Sequence, residues 1–231
     1  MSRVLPILFN TDMVRAILEG RKSVTRRLMK IQPWDNGDGC KHEIISYHDM
    51  LPQFYKEDFS FVCRKCGLGI GMDGKSCFNP QYKPGDILYV RETWNHYNYD
   101  NLNKGEHREG YFYKASPELK STLPDYVQFH WGEKWKPSIH MPKEAARIWL
   151  RVTDVRVERL NRMLELDFQK EGISLYKDDM TEKTEIEMEY EFEDLWNSTI
   201  KKSDFDRYGW DANPYVWVIE FERFEKPQEV E

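Results

Sequence analysis

The 231-residue chain lacks any long hydrophobic run. Its first ten residues, MSRVLPILFN, contain no extended apolar core of the kind that a secretory signal peptide carries. No stretch approaches the roughly 20 consecutive apolar residues that a membrane-spanning helix requires. These absences predict a protein without membrane association, and the expected location is the cytoplasm.

An excess of positive charge is also missing. The chain has 34 Lys and Arg against 40 Asp and Glu, which gives a net charge of -6 and an isoelectric point of about 5.6. This balance argues against a protein that coats nucleic acid non-specifically, so any nucleic-acid contact must come from a local patch. The hydrophobic content of 40% and the aromatic content of 14% exclude a disordered chain. The length fits one domain with insertions, or at most one domain plus a small satellite.

Short apolar segments with strand character occur along the chain, and no internal repeat is evident. In the clearest segment, at 146–160, Ile148, Leu150 and Val152 alternate with Trp149 and two polar residues. Further strands are predicted at 4–9, 87–90 and 215–221. The last of these has apolar residues on both faces, so we expect it to be a central strand of a sheet.

Helical patterns are fewer than strand patterns. Asn10 or Thr11 can cap a first helix. Later in the chain, Ile186, Tyr190 and Leu195 are expected to face the core from an acidic helix. The predicted helices span residues 11–18, 164–170 and 177–196. Many short strands with few helices between them favour an α+β fold built on a small mixed β-barrel rather than a doubly wound sheet.

Cysteine is scarce too, and its four positions are confined to one irregular stretch, at 34–80. That stretch has no sustained hydrophobic period, and we interpret it as an insertion. In a reducing cytoplasm its cysteines are thiols or metal ligands rather than disulfides. Their spacing is C-x22-C-x2-C-x10-C, and they are Cys40, Cys63, Cys66 and Cys77. Four thiolates can close a tetrahedral structural zinc site, which would supply stability that the insertion lacks.

Three alternatives to a four-cysteine zinc site remain. His42 or His48 can replace a cysteine that does not reach the metal. The four cysteines can also be unrelated reduced thiols. A redox pair at Cys63 and Cys66 is less favoured, because no strand-to-helix context surrounds this motif.

A compact basic segment follows the first helix. Between Gly20 and Lys30 the chain has five Lys or Arg and no acidic residue. Gly20 lies where a helix commonly ends in a left-handed residue, so the backbone should hold the segment in a defined place. A fixed positive segment suits an anionic ligand, and nucleotides or nucleic acid are the first candidates. The alternative is that these cations merely balance the dipole of the preceding helix.

The pattern Gly20-x-Lys22-x-x-Thr25-x-Arg27 resembles the signature of the ASCH domain family. Residues 84–92 resemble the turn-and-strand element of this family. Further similarity to phage and prophage-borne ASCH proteins lies at 6–9, 91–94, 137–142 and 213–214. The resemblance covers most of residues 4–221, and it implies a PUA-like mixed β-barrel with short flanking helices. It therefore implies one domain over residues 1–228. The cysteine pattern adds to this domain a zinc-knuckle-like insertion at 34–80.

This resemblance implies two kinds of function. ASCH and PUA-like domains are regarded as binders of RNA or modified nucleotides. One small bacterial branch hydrolyses N(4)-acetylcytidine to cytidine and acetate with a Lys, a Thr and a Glu, which match Lys22, Thr25 and Glu171 here. A third possibility is a phage-encoded interaction protein with a vestigial pocket.

Amide hydrolysis by these three residues is chemically reasonable. Thr25 supplies a hydroxyl nucleophile, and Lys22 can act as its base if burial or neighbouring cations lower its pKa. Glu171 lies at a predicted helix C-terminus, a position that suits proton transfer. The alternative for Glu171 is a surface carboxylate paired with a nearby lysine.

Five further residues are candidate ligand contacts. Arg21, Arg26 and Arg27 are suited to an anion, and Arg27 in particular to a phosphate or a base edge. Trp94 can stack on a base or simply pack in the core. Glu92 can accept hydrogen bonds from a nucleobase amino group, or else pair with Arg91 or Lys22.

Overall fold

The computed structural model describes residues 2–30, 32, 40, 43–46, 61–66, 79–101, 106–116 and 134–227. The strands in these ranges are β1 (Val4–Leu8), β2 (Val24–Leu28), β3 (Ile44–Ser46), β4 (Phe61–Cys63), β5 (Ile87–Arg91), β6 (Trp94–Asn101), β7 (Glu106–Tyr113), β8 (Trp149–Arg159) and β9 (Tyr215–Phe224). The helices are α1 (Thr11–Leu18), α2 (Glu165–Lys170), α3 (Glu185–Thr199) and α4 (Phe205–Tyr208). None of the helices in the described part of the chain has the length and apolar character needed to cross a membrane.

Five of the strands form one mixed sheet in the order β1-β5-β8-β9-β2. β1 is parallel to β5, whereas β5 is antiparallel to β8 and β2 is antiparallel to β9. The α+β class is thus confirmed, and β9 is a central strand, as its two apolar faces predict. The expectation of a closed barrel is wrong for the described residues, because β1 and β2 are the outer strands of the sheet and do not pair with each other.

The chain divides into two compact units. The first comprises residues 1–20, 86–151 and 223–231, and the second comprises residues 21–85 and 152–222. The core of the first unit is rich in aromatic rings: Ile87, Tyr89, Trp94, Tyr113, Met141, Ala145, Ala146 and Trp149. The core of the second unit packs strand residues against α2 and α3, and includes Val24, Leu160, Phe168, Met188, Phe192, Trp196, Val216 and Val218.

The ends of α1 follow the sequence prediction. The Asn10 side chain caps the helix by accepting a hydrogen bond of 2.8 Å from the backbone N–H of Met13. Val14 and Ile17 are buried on its apolar face. Gly20 has a φ of 77°, the left-handed conformation in which glycine avoids the clash that a Cβ atom would cause.

The buried face of α3 differs from the prediction. Ile186 and Tyr190 are exposed, whereas Met188, Phe192 and Trp196 are buried at intervals of four residues. The helix begins at Glu185, where Thr184 forms a capping box with Glu187, and not at residue 177. Because the helix offers two apolar stripes, the one with the larger rings packs inward and excludes more surface from water.

Two hairpins lie outside the main sheet. β3 pairs antiparallel with β4, so part of the predicted irregular insertion is regular. β6 pairs antiparallel with β7 over eight residues each. Within this second hairpin only residues 111–113 carry even a weak strand pattern in the sequence, because the alternating positions are mostly polar or aromatic rather than aliphatic.

Candidate functional site

The centre of the basic segment is a buried ion pair in the second unit. Lys22 Nζ donates to Glu171 Oε2 at 2.6 Å, and also to the backbone carbonyls of Glu171 and Val24 at 2.7 Å each. Glu171 occupies the C-cap position of α2, and Gly172 follows with a φ of 101°. The left-handed glycine ends the helix and so leaves the Glu171 carbonyl available to Lys22. The structure thus brings together two predicted site residues that are 149 positions apart.

Burial determines the electrostatics of this lysine. Its side chain is fully inaccessible to solvent, and the pKa of Lys22 is lowered mainly by the loss of hydration. The charge of Glu171 opposes this shift, while Arg27 and Arg26 add to it. A lysine can serve as a base only when its pKa is lowered, and the pKa of Lys22 is shifted in that direction.

Arg26 connects this pair to two more carboxylates. Its guanidinium donates to Glu171 Oε1 at 3.2 Å and to Glu158 Oε2 at 3.3 Å, and it lies 3.5 Å from Asp167 Oδ1. The Arg26 side chain is inaccessible to solvent. Arg26, predicted as a ligand contact, thus pairs with one buried carboxylate, that of Glu171, and with two half-buried ones in this structure.

Arg21, the first cation of the basic segment, makes a contact that supports the fold. Arg21 is exposed, and its guanidinium donates a hydrogen bond to the backbone carbonyl of Gly172. Ser23 adds a backbone bond of 2.9 Å to the Lys170 carbonyl. The end of α2 is therefore attached to the start of β2 by both side-chain and backbone bonds.

Alternation along β2 separates the motif into two faces. Val24 packs in the helix-covered core, and Arg26 reaches the carboxylates of the ion-pair network, so both point to the α2 side of the strand. Thr25 and Arg27 point to the opposite side, where their register partners on β9 are Ile219 and Trp217. Thr25 is buried, whereas Arg27 is half-buried.

Arg27 borders a pocket of about 490 Å³. Trp217 and Ile219 of β9 line it from the sheet, and residues 79–82 line it from the chain that precedes the 84–86 turn. The rings of Trp217 and Phe61 lie 5.2 Å apart, edge to face, which fixes the indole at the pocket wall. The pocket therefore combines a guanidinium with aromatic and amide side chains.

Two ionisable groups of the pocket, Arg27 and Tyr82, have pKa values that burial shifts in opposite directions. Burial lowers the pKa of Arg27, and burial raises the pKa of Tyr82. The charge of Arg27 partly offsets the shift of the Tyr82 phenol. Since an arginine stays protonated even after such a shift, the pocket presents a permanent positive charge in surroundings of reduced polarity.

Glu92 belongs to the first unit, where its partner is Arg147. The guanidinium of Arg147 donates to both carboxylate oxygens of Glu92, at 2.9 and 3.0 Å. It also donates to Ser116 Oγ at 2.9 Å and lies over the ring of Tyr113, with its central carbon 4.1 Å from the ring centroid. Burial raises the pKa of Glu92 in spite of this partner. Glu92 thus pairs with neither Arg91 nor Lys22, the two partners considered from the sequence.

Trp94 lies buried in the aromatic core of the same unit. Its indole Nε1 is buried and has no hydrogen-bond partner within the described residues. The ring of Tyr111 lies 5.7 Å away, and the ammonium of Lys136 lies 4.9 Å from the Trp94 ring. Its environment is that of core packing, the alternative to base stacking.

Three of the four cysteines form a cluster in the second unit. The Sγ atoms of Cys40, Cys63 and Cys66 lie within 4.8 Å of one another, and the first two are 3.9 Å apart. Cys63 ends β4, and Cys66 lies in the turn that follows. This arrangement could hold a metal ion. Cys77, His42 and His48 lie outside the described residues.

Several functional neighbours have no signal in the sequence. Asp167, Glu158 and Arg147 complete the two ion-pair systems, but they are ordinary charged residues far along the chain from their partners. Trp217 and Tyr82 line the pocket, but in the sequence the first looks like an ordinary strand residue and the second like an ordinary loop residue. Trp217 pairs in register with Arg27 of the basic motif. Knowledge of this strand pairing would have been the one cue that Trp217 lies beside Arg27.

The two parts of the site in the second unit have different capacities. The buried Lys22 and Glu171 can share or move a proton, while the pocket can bind an anionic, aromatic molecule. Comparisons with family models, curated proteins and solved structures give no match for this chain.

Proposed function

We propose that this chain binds a nucleotide or a nucleotide of an RNA strand in the Arg27 pocket. The observation that carries the proposal is the 490 Å³ pocket with Arg27 at its border and Trp217 on its wall. A cavity of this size lies within the usual range for small-molecule sites, which is roughly 300–1,000 Å³. An arginine suits a phosphate group, and an indole suits a base.

The side chains of the 79–82 segment add hydrogen-bonding groups to this pocket. Asn79 and Gln81 each contribute an amide, which can donate to and accept from the edge of a base. Tyr82 contributes a ring and a hydroxyl group. Two cations, Arg27 and Lys30, with two aromatic rings and two amides, match the three chemical parts of a nucleotide better than they match an aliphatic or a purely anionic ligand.

An ASCH-type, PUA-like domain is part of the same proposal. The resemblance at the basic motif is supported by the packing of α2 on the start of β2 and by the pairing of β2 with the last strand. It is also supported by the contact between Lys22 and Glu171, the two positions that the resemblance relates across the chain.

Isothermal titration with cytidine 5′-monophosphate and with a short RNA tests this function. The Arg27→Gln variant should lose at least about tenfold in affinity, since a charge-assisted bond to phosphate contributes more than 1.4 kcal/mol. Arg162→Gln is the matched control, because Arg162 is exposed and lies outside the pocket. Equal affinity of the Arg27→Gln variant and the control for both ligands would contradict the proposal.

Hydrolysis of an acylated nucleoside is the second candidate, and the Lys22–Glu171 contact favours it. In this scheme Lys22 first passes a proton to Glu171, and the neutral amine takes the proton of the Thr25 hydroxyl as its oxygen attacks the acyl carbon. The C–N bond then breaks as the leaving nitrogen is protonated. The scheme requires Lys22 to reach Thr25, which points to the side of β2 opposite Arg26 and the ion-pair network. Water then releases the acid from Thr25. The lowered pKa of Lys22 supports its role as the base.

Deacylation of N(4)-acetylcytidine, followed by ultraviolet absorbance, tests the second candidate. Turnover by the wild type that falls at least about 100-fold in Lys22→Met and in Thr25→Val is the expected result. Turnover that is absent from the wild type, or that persists in Thr25→Val, removes this candidate and leaves the binding function in place.

We also propose a structural zinc ion at Cys40, Cys63 and Cys66, with Cys77 as the fourth ligand. Zinc–thiolate bonds of about 2.3 Å at tetrahedral angles place sulfur atoms roughly 3.8 Å apart. The observed 3.9 Å between the sulfurs of Cys40 and Cys63 fits that geometry. When bound, zinc would fix the hairpin of β3 and β4 without leaving an open position for chemistry.

Metal analysis of the purified protein checks the zinc proposal. One zinc per chain is expected in the wild type, with a clear loss in Cys66→Ser. Ser203→Ala is a suitable control, since this exposed residue lies outside the cluster. Zinc well below one per chain after mild purification, or equal zinc in Cys66→Ser, would count against it.

A further inference from the structure

The first unit carries a set of cations supported by aromatic rings, which we call the cationic face and define as Arg91, Lys136 and Lys143. Lys136 lies over Trp94, with 4.9 Å from its Nζ to the ring centroid. Lys143 lies over Trp149 at 5.9 Å, and the guanidinium carbon of Arg91 lies over Tyr89 at 5.5 Å. All three rings belong to the same hydrophobic cluster. The three cations therefore lie against one hydrophobic cluster.

Backbone contacts fix the segment that carries the two lysines. Lys136 exchanges backbone hydrogen bonds with Trp94 at 2.8 and 3.2 Å. Arg91 donates from its guanidinium to the carbonyl of Ile139 at 3.2 Å. The backbone at Lys136 is therefore attached to β6 and that at Ile139 to β5, so these positions have less backbone freedom to lose on binding.

The charges of this face are not neutralised by the part of the chain that the structure describes. None of its three members forms an ion pair with a carboxylate among the residues that the structure describes, and both lysines are exposed. Arg91 Nε is buried and has no hydrogen-bond partner in those same residues. Residues 134–151 contain five Lys or Arg and a single acid, Glu144, although the whole chain has a net charge of -6. Arg147 is neutralised by Glu92, which leaves four of the five cations against this one acid. Such a local excess on an acidic protein indicates an anionic partner.

We propose that the cationic face binds the phosphate backbone of a single-stranded nucleic acid. Several fixed cations in one area match a ligand with repeated phosphates better than a small anion, which needs only one or two. An anionic membrane is the less favoured partner. Membrane binding gains much of its strength from the insertion of apolar side chains. Among the described residues of 134–151, Ile139, 60% exposed, is the only exposed large apolar side chain that could insert. This surface does not depend on the Arg27 pocket and extends the function beyond it.

Fluorescence anisotropy with a labelled 20-nucleotide oligouridine over a salt series tests this proposal. The Lys136→Gln/Lys143→Gln variant removes two exposed charges, and Lys201→Gln/Lys202→Gln is the matched control, with two exposed lysines outside the face. Each phosphate contact in a single strand contributes about 0.7 to the slope of log affinity against log salt. The slope of the first variant should therefore be about 1.4 smaller than that of the wild type, and its affinity at 0.1 M salt should fall at least about tenfold. The control should match the wild type.

Three outcomes overturn the proposal. The first is an unchanged slope in Lys136→Gln/Lys143→Gln, provided that thermal unfolding shows the variant to be folded. The second is an equal change in the control variant, which would indicate a non-specific charge effect. The third is lysine-dependent binding to phosphatidylserine vesicles without any binding to oligouridine, which would assign the face to a membrane. Loss of mononucleotide binding in Arg27→Gln with an unchanged oligouridine slope would separate the pocket from this face.

Discussion

Two buried carboxylates are neutralised by cations that differ in their exposure to solvent. One carboxylate is Glu171 in the second unit, and the other is Glu92 in the first. Glu171 is held by Lys22 and Arg26, whose side chains are fully buried. Glu92 is held by Arg147, whose side chain is 21% exposed, although Glu92 itself is only 1% exposed. The first system is closed to solvent, and the second reaches it through its cation.

The exposure of the cation determines how each system responds to the loss of a partner. A buried cation that loses its carboxylate remains without water and without a counter-charge, which is a large penalty. A cation at the surface recovers hydration when its partner is removed. Burial is the leading cause of the pKa shifts of both Lys22 and Glu92. The two systems therefore differ in the exposure of the cation and not in the origin of these shifts.

The largest expected effect comes from Glu171→Ala. This change leaves Lys22 and Arg26 buried without the carboxylate that both contact, so the free energy of unfolding should fall by about 3–5 kcal/mol. Urea denaturation measures it. Glu165→Ala, an exposed glutamate on the same helix, is the control and should cost less than about 1 kcal/mol. A similar small loss in both variants would contradict the idea of a closed ion-pair network.

Glu92→Ala should have a smaller effect than Glu171→Ala. Arg147 keeps its place over Tyr113 and its bond to Ser116, and its exposed part can be hydrated. The expected decrease in the free energy of unfolding is about 1–3 kcal/mol, by the same urea measurement. A decrease as large as that of Glu171→Ala would remove the distinction between the two systems.

Part of this comparison could be predicted from the sequence, and part could not. The turn at Gly20, the helix that ends before Gly172 and the central last strand all follow from local patterns. Lys22 and Glu171 were related only through a resemblance, since no local rule links residues 149 positions apart. Arg147 has no local cue at all, because any of 34 cations could have paired with Glu92. The partner of a buried charge is set by tertiary packing, which leaves little trace in the sequence around it.

The same limit applies to the pocket and to the helix face. Arg27 was predicted as a ligand contact because the basic motif marks it, whereas Trp217 and Tyr82 carry no such mark. Ile186 and Tyr190 of α3 were wrongly expected to face the core, whereas Leu195 does pack against it. Both stripes of that helix are apolar, and only packing against Phe168 and Trp210 selects the stripe of Phe192. Local sequence patterns thus predict the conformation of the backbone better than they predict which side chains contact each other.

A pH series should separate Lys22 from the exposed lysines. Because the pKa of Lys22 in the folded protein lies below its ordinary value of 10.5, the unfolded chain binds more protons in the window between these two values. The free energy of unfolding should therefore gain from Lys22 as pH rises through that window, by at most about 1.4 kcal/mol per pH unit. In Lys22→Met this contribution disappears. Parallel pH curves for the wild type and Lys22→Met between pH 7 and 11 would show that burial does not control this lysine.

The smallest effect is expected at the exposed edge of the ion-pair network. Arg156 bonds to Glu158 at 2.6 Å, to Asp154 at 3.1 Å and to Glu220 at 2.6 Å, but every one of these side chains is partly exposed. Arg156→Ala should therefore lower the free energy of unfolding by only about 0.2–1 kcal/mol.

Salt should remove the effect of Arg156→Ala and leave that of Glu171→Ala. At 1 M ionic strength the screening length is about 3 Å, which weakens pairs that solvent reaches and affects buried pairs much less. Urea denaturation at low salt and at 1 M NaCl, for both variants, makes the test. If the loss in Glu171→Ala also vanished at 1 M NaCl, water and ions would have to reach Lys22 and Arg26, and the contrast between a closed and an open ion pair would no longer hold.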